Sequence, residues 1–295
     1  MSVLGRRLLA AGCALGLFAV AAIAVQKYRA ERQLFFPERQ ASVLSASSSG
    51  LAGASDVTIA ASGTTLHGWY VSSRNRGLII LCHGAGANRA QLTDEARALV
   101  AEGFGVLLFD WPGHGESEGA IHWNEGERVA LRAVIAWALA RPEVDGNRLG
   151  AYGFSMGGYT LSQVAAEDTR LRAVVLAGTP SDQRQQVHYQ HGRLGPLAEW
   201  PALYALSRGG MQIELRKPID EVKKINPRPL LMIGGSADHL VAPSMATDLA
   251  IAASQPDSVY IVADALHGNY VGAAGAAYLE RVVSFFRRTL LMQPR

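Results

Sequence analysis

Three side chains carry the chemistry available to this sequence. Ser155 lies in Gly153-Phe154-Ser155-Met156-Gly157-Gly158, Asp238 closes Gly234-Gly235-Ser236-Ala237-Asp238, and His267 closes Asp264-Ala265-Leu266-His267. A serine hydroxyl is a weak nucleophile until a base takes its proton, and an imidazole works as that base when a carboxylate fixes its tautomer. Together the three describe nucleophilic acyl transfer: Ser155 attacks, His267 moves the proton, and Asp238 holds His267. The developing oxyanion needs convergent N–H donors, one of them the backbone of Met156, immediately after the nucleophile. Gly-x-Ser-x-Gly is a short motif, and its meaning comes from its context. Residues 149–152 read as a strand and residues 156–166 as a helix, which puts Ser155 on a sharp turn. Gly153, Gly157 and Gly158 remove the bulk that such a turn cannot hold, and the helix directs its N-terminal dipole at developing negative charge.

Positioning three groups at one point is the task of the elements around them. Candidate strands cover residues 57–61, 66–72, 78–82, 106–109, 149–152, 173–176, 230–233 and 259–262. The first two flank Gly63 and read as an antiparallel hairpin; the later ones are continuous apolar runs, as in strands covered on both faces. Amphipathic stretches at 90–101, 125–140, 156–166, 244–253 and 274–290 alternate with them. Such alternation predicts one α/β domain with a mostly parallel sheet, whose reactive groups sit at the carboxyl ends of the strands. Ser155, Asp238 and His267 each follow a different strand.

The body, residues 56–291, resembles the α/β-hydrolase superfamily. The resemblance rests on His83-Gly84 after the third strand, Asp110 with Gly113-His114-Gly115 and Ser117 after the fourth, the Ser155 motif, Asp238 and His267. It implies an α/β-hydrolase fold: an eight-stranded, mostly parallel sheet with helices on both faces and a small helical lid, here at residues 181–227. It also implies the backbone of Ala85 as the second oxyanion donor. Leu34-Phe35-Phe36-Pro37, Val57-Thr58-Ile59 and Leu66-His67-Gly68-Trp69-Tyr70 look like the membrane-anchored ABHD-type hydrolases and their bacterial relatives. The expected activity is cleavage of an ester or thioester, with lipid-like acyl substrates favoured. A peptidase or amidase on the same triad and a non-catalytic, membrane-tethered binding module are the alternatives.

The remaining chemistry-bearing residues read differently. Asp182 is the rival acid, Asp264 reads as a turn residue, and His83 and His114 read as braces for backbone. His188 and His191 have helical spacing but no accompanying carboxylate or cysteine motif, so no metal is expected. No phosphate loop or dinucleotide fingerprint occurs, and no cofactor is expected. Within 181–227, Leu194, Leu197, Trp200, Leu203, Tyr204, Leu206 and Met211 either line an acyl pocket or pack the lid onto the body.

The chain has 295 residues, 49% hydrophobic and 18% charged, with a net charge of +3. The excess is local. The first 49 residues hold six basic and two acidic side chains, against 22 and 23 in the rest, so the body has no electrostatic case for nucleic acid. Cys82 is the body's one cysteine, and Cys13 lies in the N-terminal apolar run. That run, residues 8–25, is flanked by Arg6, Arg7, Lys27 and Arg29. As a helix it spans about 27 Å, close to a hydrocarbon core of about 30 Å. Residues 1–26 are expected to form a single-pass anchor, with export after signal cleavage as the alternative. Basic residues at both ends leave its orientation unassigned. Residues 27–55, rich in Ser, Ala and Gly from 41 onward, are expected to link it to the domain at 56–295.

Overall fold

The computed structural model describes residues 2–35, 45–123 and 125–292. Eight strands follow the apolar runs: β1 (Ser55–Ala61), β2 (Thr64–Val71), β3 (Leu78–Cys82), β4 (Gly105–Phe109), β5 (Leu149–Phe154), β6 (Ala173–Ala177), β7 (Leu230–Gly235) and β8 (Val259–Val262). They form one sheet in the order β1-β2-β4-β3-β5-β6-β7-β8. β1 and β2 pair as an antiparallel hairpin, β2 pairs antiparallel with β4, and every later pairing is parallel.

Helices cover both faces. α1 (Val3–Phe35) precedes the sheet; α2 (Thr93–Ala101), α3 (Glu125–Leu139), α4 (Met156–Glu167), α5 (Gln183–His191), α6 (Pro196–Arg208), α7 (Pro218–Ile225), α8 (Ser244–Ala252) and α9 (Tyr270–Phe286) follow. The two-residue period of a strand sorts each one between two cores. Leu78, Ile80 and Cys82 of β3 join the core that also holds residues of α3, α4, α7 and α8, whereas Ile79 and Leu81 join the core that holds residues of α2 and α9. All five β3 side chains are buried, and each Leu or Ile buried this way contributes about 1.5–3 kcal/mol.

Several boundaries differ from the sequence reading. The anticipated helix at 90–101 opens as a 3-10 turn at Arg89–Leu92 before α2, and the one at 274–290 begins at Tyr270 with a kink at Gly275. β8 is an edge strand, so its apolar run is only half-covered and Ile261 is exposed. The expected linker at 27–55 is helical through Phe35, and Ala46 and Leu51 are buried against the α2 side of the sheet. Residues 36–44 of that linker, including Phe36-Pro37, lie outside the described residues. The segment 181–227 is of mixed character: α5 and α6 lie over the sheet's carboxyl edge, while α7 buries Val222 and Ile225 in the main core beside α4.

Helix α1 carries a segment, Val3–Arg29, long and apolar enough to cross a membrane, with none of its most apolar window buried in the protein. Among the described residues it is the one such helix.

Candidate active site

The parallel register aligns the carboxyl ends of the strands. Cys82 pairs with Phe109 and Gly153, Phe154 with Ala177, Ala177 with Ile233, and Gly235 with Val262. The loops that leave these ends carry Ala85, Ser155, Asp238 and His267 to one edge of the sheet.

Ser155 occupies the turn between β5 and α4 with φ 52° and ψ −116°. A residue with a side chain adopts this conformation at a cost of about 1–3 kcal/mol, and the surroundings must hold it there. Backbone does so here: Ser155 N–H donates to Ala177 O at 2.9 Å, and Ser155 O accepts from Tyr159 N–H at 2.9 Å. The first turn of α4 then passes against β3 and the β6 loop. A Cβ on Gly157 would lie 2.1 Å from Cys82 O, and one on Gly158 would lie 1.9 Å from Thr179 Oγ1. Only glycine permits that approach.

The three predicted groups meet. His267 Nε2 lies 3.0 Å from Ser155 Oγ, and His267 Nδ1 lies 2.7 Å from Asp238 Oδ2. The carboxylate accepts, so Nδ1 carries the proton and Nε2 is free to accept from the serine hydroxyl. Asp238 is fully buried, and its other oxygen accepts from the N–H groups of Leu240 at 2.8 Å and Val241 at 2.9 Å. Its charge is thus held by backbone donors as well as by His267. The Phe154 ring backs the imidazole at 4.8 Å between centroids.

Ala85 and Met156 line the cavity beside Ser155, and neither N–H donates to another described residue. Two histidines brace the turn that carries Ala85. His83 Nδ1–H donates to Gly84 O at 2.7 Å, and its Nε2 accepts from Trp111 N–H at 3.2 Å. The Gly84 carbonyl belongs to the same peptide plane as the Ala85 N–H, so this bond orients the donor. His114 Nε2 accepts from Gly86 N–H at 3.2 Å on the far side. Burial pulls the His83 pKa down to about 4, with Arg89 adding to the effect, so the ring is neutral at neutral pH.

Other candidates fall elsewhere. Asp182 caps α5, accepting from Arg184 N–H at 2.8 Å and Gln185 N–H at 3.2 Å, and it pairs with Lys217 at 2.9 Å. Asp264 has φ 56° and sits in a turn. His188 is exposed and pairs with Glu199 at 3.0 Å.

The cavity over Ser155 has a volume of about 320 Å³. Trp123, Met156, Val187, Ala202 and Leu206 give it an apolar wall; Gln183, Gln186 and Gln190 give it an amide wall. Of the lid residues named from sequence, Leu206 lines the cavity and Met211 is buried behind it, while Trp200 and Tyr204 point away from the core. The side chains of Leu194 and Leu197 lie outside the described residues. The glutamine face was missed because amides carry no hydrophobic signal; their spacing along α5 was the available clue. A second missed feature joins α5 to the acid loop. Tyr189 Oη donates to Asp238 O at 2.8 Å, and Gln190 Nε2 donates to Leu240 O at 2.8 Å.

Comparison with known proteins agrees with this fold. Residues 77–194 match the family model described as alpha/beta hydrolase fold. The chain is 25% identical over 264 residues to the uncharacterized protein Rv2307c of Mycobacterium tuberculosis, covering 88% of each chain. It is 25% identical over 237 residues to the uncharacterized protein YfhR of Escherichia coli, covering 77% of this chain and 78% of that one. Among solved structures, an esterase of Pyrococcus furiosus superposes with a TM-score of 0.70 at 23% identity, covering 86% of this chain and 97% of that one. With its sheet order, its strand-to-helix turn at Ser155 and these similarities, the chain has the α/β-hydrolase fold.

Proposed function

We propose that the protein is a serine hydrolase that cleaves carboxylic esters or thioesters through an acyl-enzyme. The observation that supports this most is the hydrogen-bonded series Ser155–His267–Asp238, at 3.0 and 2.7 Å, on the floor of a cavity with one apolar wall. In this reading Ser155 Oγ attacks the acyl carbonyl while its proton passes to His267 Nε2. The buried Asp238 carboxylate stabilises the imidazolium. The oxyanion accepts from the N–H groups of Met156 and Ala85, an interaction of the kind typically worth about 2.7–4 kcal/mol per donor. As the tetrahedral intermediate collapses, His267 returns the proton to the departing alcohol or thiol. Water then attacks the acyl-serine by the same route, regenerating the free hydroxyl and releasing the acid.

The apolar wall suits an acyl chain, and a cavity of about 320 Å³ limits its size. Helices α5 and α6 act as the cap over this site. Helix α1 serves as a membrane anchor, which favours lipid-like acyl substrates; removal as a signal segment is the alternative fate. The esterase name of the Pyrococcus furiosus protein is in keeping with the same chemistry.

The test is turnover of matched acyl esters, acyl thioesters and aminoacyl amides by the wild type and Ser155→Ala. Ester or thioester turnover should dominate and should fall by about 10⁴-fold or more in the variant. Dominant amide turnover would favour a peptidase, and undiminished turnover in Ser155→Ala would reject the triad.

A further inference from the structure

Helix α6 has two faces with different neighbours. Ala202 and Leu206 point inward and line the cavity over Ser155. Trp200 and Tyr204, one turn apart, point outward, 56% and 36% exposed, with rings stacked 5.2 Å apart at 22°. This outer face runs beside α1: the two helices pack together, and Lys27 Nζ lies over the Tyr204 ring at 5.2 Å. Among the described side chains from 17 to 29 of α1, Ile23 and Lys27, one turn apart, are the two that are partly covered. Between them the helix changes from its apolar run to a basic stretch with Lys27 and Arg29.

We propose that the Trp200–Tyr204 face of α6 is a membrane-surface contact, resting in the interfacial layer of a phospholipid bilayer while the opposite face closes the cavity over Ser155. The inference rests on the anchor role of α1 proposed above and is independent of the chemistry at Ser155. An apolar run of 18 residues is about 27 Å long, so insertion leaves its basic end at headgroup depth. Lys27 is then at the interface, where a lysine keeps its ammonium in water and its stem in apolar surroundings. Tyr204 lies within cation–π distance of Lys27, and Trp200 stacks on Tyr204, so both share that depth. Tryptophan and tyrosine favour this layer because each has a large apolar ring and one group that must stay wet. One helix thus separates bilayer from cavity, and an acyl substrate dissolved in the membrane reaches Ser155 past α6 rather than through bulk water.

The full chain, reconstituted into phosphatidylcholine–phosphatidylglycerol vesicles with acyl chains brominated near the glycerol end, tests this. Trp69 and Trp111 are fully buried and Trp123 and Trp137 partly so, which leaves Trp200 as the tryptophan most open to contact quenching. Bromolipid should quench a large share of the wild-type emission, and that share should shrink several-fold in Trp200→Phe. A Trp200→Ser, Tyr204→Ser double variant should lose several-fold turnover of a vesicle-embedded acyl ester and keep turnover of a soluble short-chain ester. Equal quenching of wild type and Trp200→Phe on vesicles that carry the chain would overturn the inference. Failure of the chain to associate with vesicles would overturn both it and the anchor. In either case soluble-ester turnover reports separately on the hydrolase reading.

Discussion

The turn between β5 and α4 and the cap formed by α5 and α6 face each other across one cavity, and they are built from different contacts. At the turn, backbone meets backbone: Ser155 is fixed through Ala177 and Tyr159, and Gly157 passes so close to Cys82 O that no side chain fits between them. In the cap, side chains reach across solvent-accessible gaps: Tyr189 and Gln190 to the acid loop, Arg184 to Glu214, His188 to Glu199. The first arrangement has one solution, because hard backbone contacts leave no slack. The second has many, because each amide or hydroxyl can exchange its partner for water at a net difference of about 1 kcal/mol. A site built this way keeps Ser155 rigid and leaves the opposite wall of the cavity adjustable.

Substitutions on the two sides should therefore differ in size. Gly157→Ala puts a Cβ 2.1 Å from Cys82 O and forces β3 and α4 apart. It should cost about 3 kcal/mol or more of stability, the upper range for overpacking, as read by chemical denaturation. A loss below 1 kcal/mol would mean that the turn is less rigid than its geometry implies.

A smaller effect, on the same rigid side, comes from His83. Burial lowers its pKa from 6.5 to about 4, so between these values the unfolded chain binds a proton that the folded chain refuses. Stability contributed by the neutral ring is complete above about pH 6.5 and is lost as pH falls toward 4, up to about 3 kcal/mol. Melting temperatures recorded across this window should fall less steeply in His83→Gln than in the wild type. Equal slopes would assign the acid sensitivity to other groups.

The smallest change belongs to the cap. Tyr189→Phe removes the bond to Asp238 O and should cost no more than about 1 kcal/mol of stability. Its effect should instead appear as a few-fold drop in kcat with little change in KM, since the acid loop loses a tether while the cavity wall keeps its shape. A loss as large as that of Gly157→Ala would show that the cap is as rigid as the turn.

How much of this was legible in the sequence follows the same division. Strands buried on both faces announce themselves as unbroken apolar runs, and the residues that matter stand directly after them. Ser155, Asp238 and His267 could be grouped because each stands on the loop that follows a strand, and the glycines of the turn because a strained backbone excludes larger residues. The cap gave no comparable signal. α5 presents glutamines to the cavity, a pattern indistinguishable in composition from a solvated face, and α6 mixes inward Ala202 and Leu206 with outward Trp200 and Tyr204. The segment 181–227 therefore read as one apolar lid, although α7 within it belongs to the core. The tether from Tyr189 to Asp238 O joins side chain to backbone across 49 residues, and no local pattern encodes such a contact.

The central claim is that Ser155 is a nucleophile whose reactivity depends on His267. Intact-mass and peptide analysis of the purified chain after exposure to a fluorophosphonate tests it directly. The expected result is a single adduct on Ser155, absent from Ser155→Ala and formed orders of magnitude more slowly in His267→Ala. A wild-type chain that stays unlabelled, or carries its adduct on another residue, would contradict it.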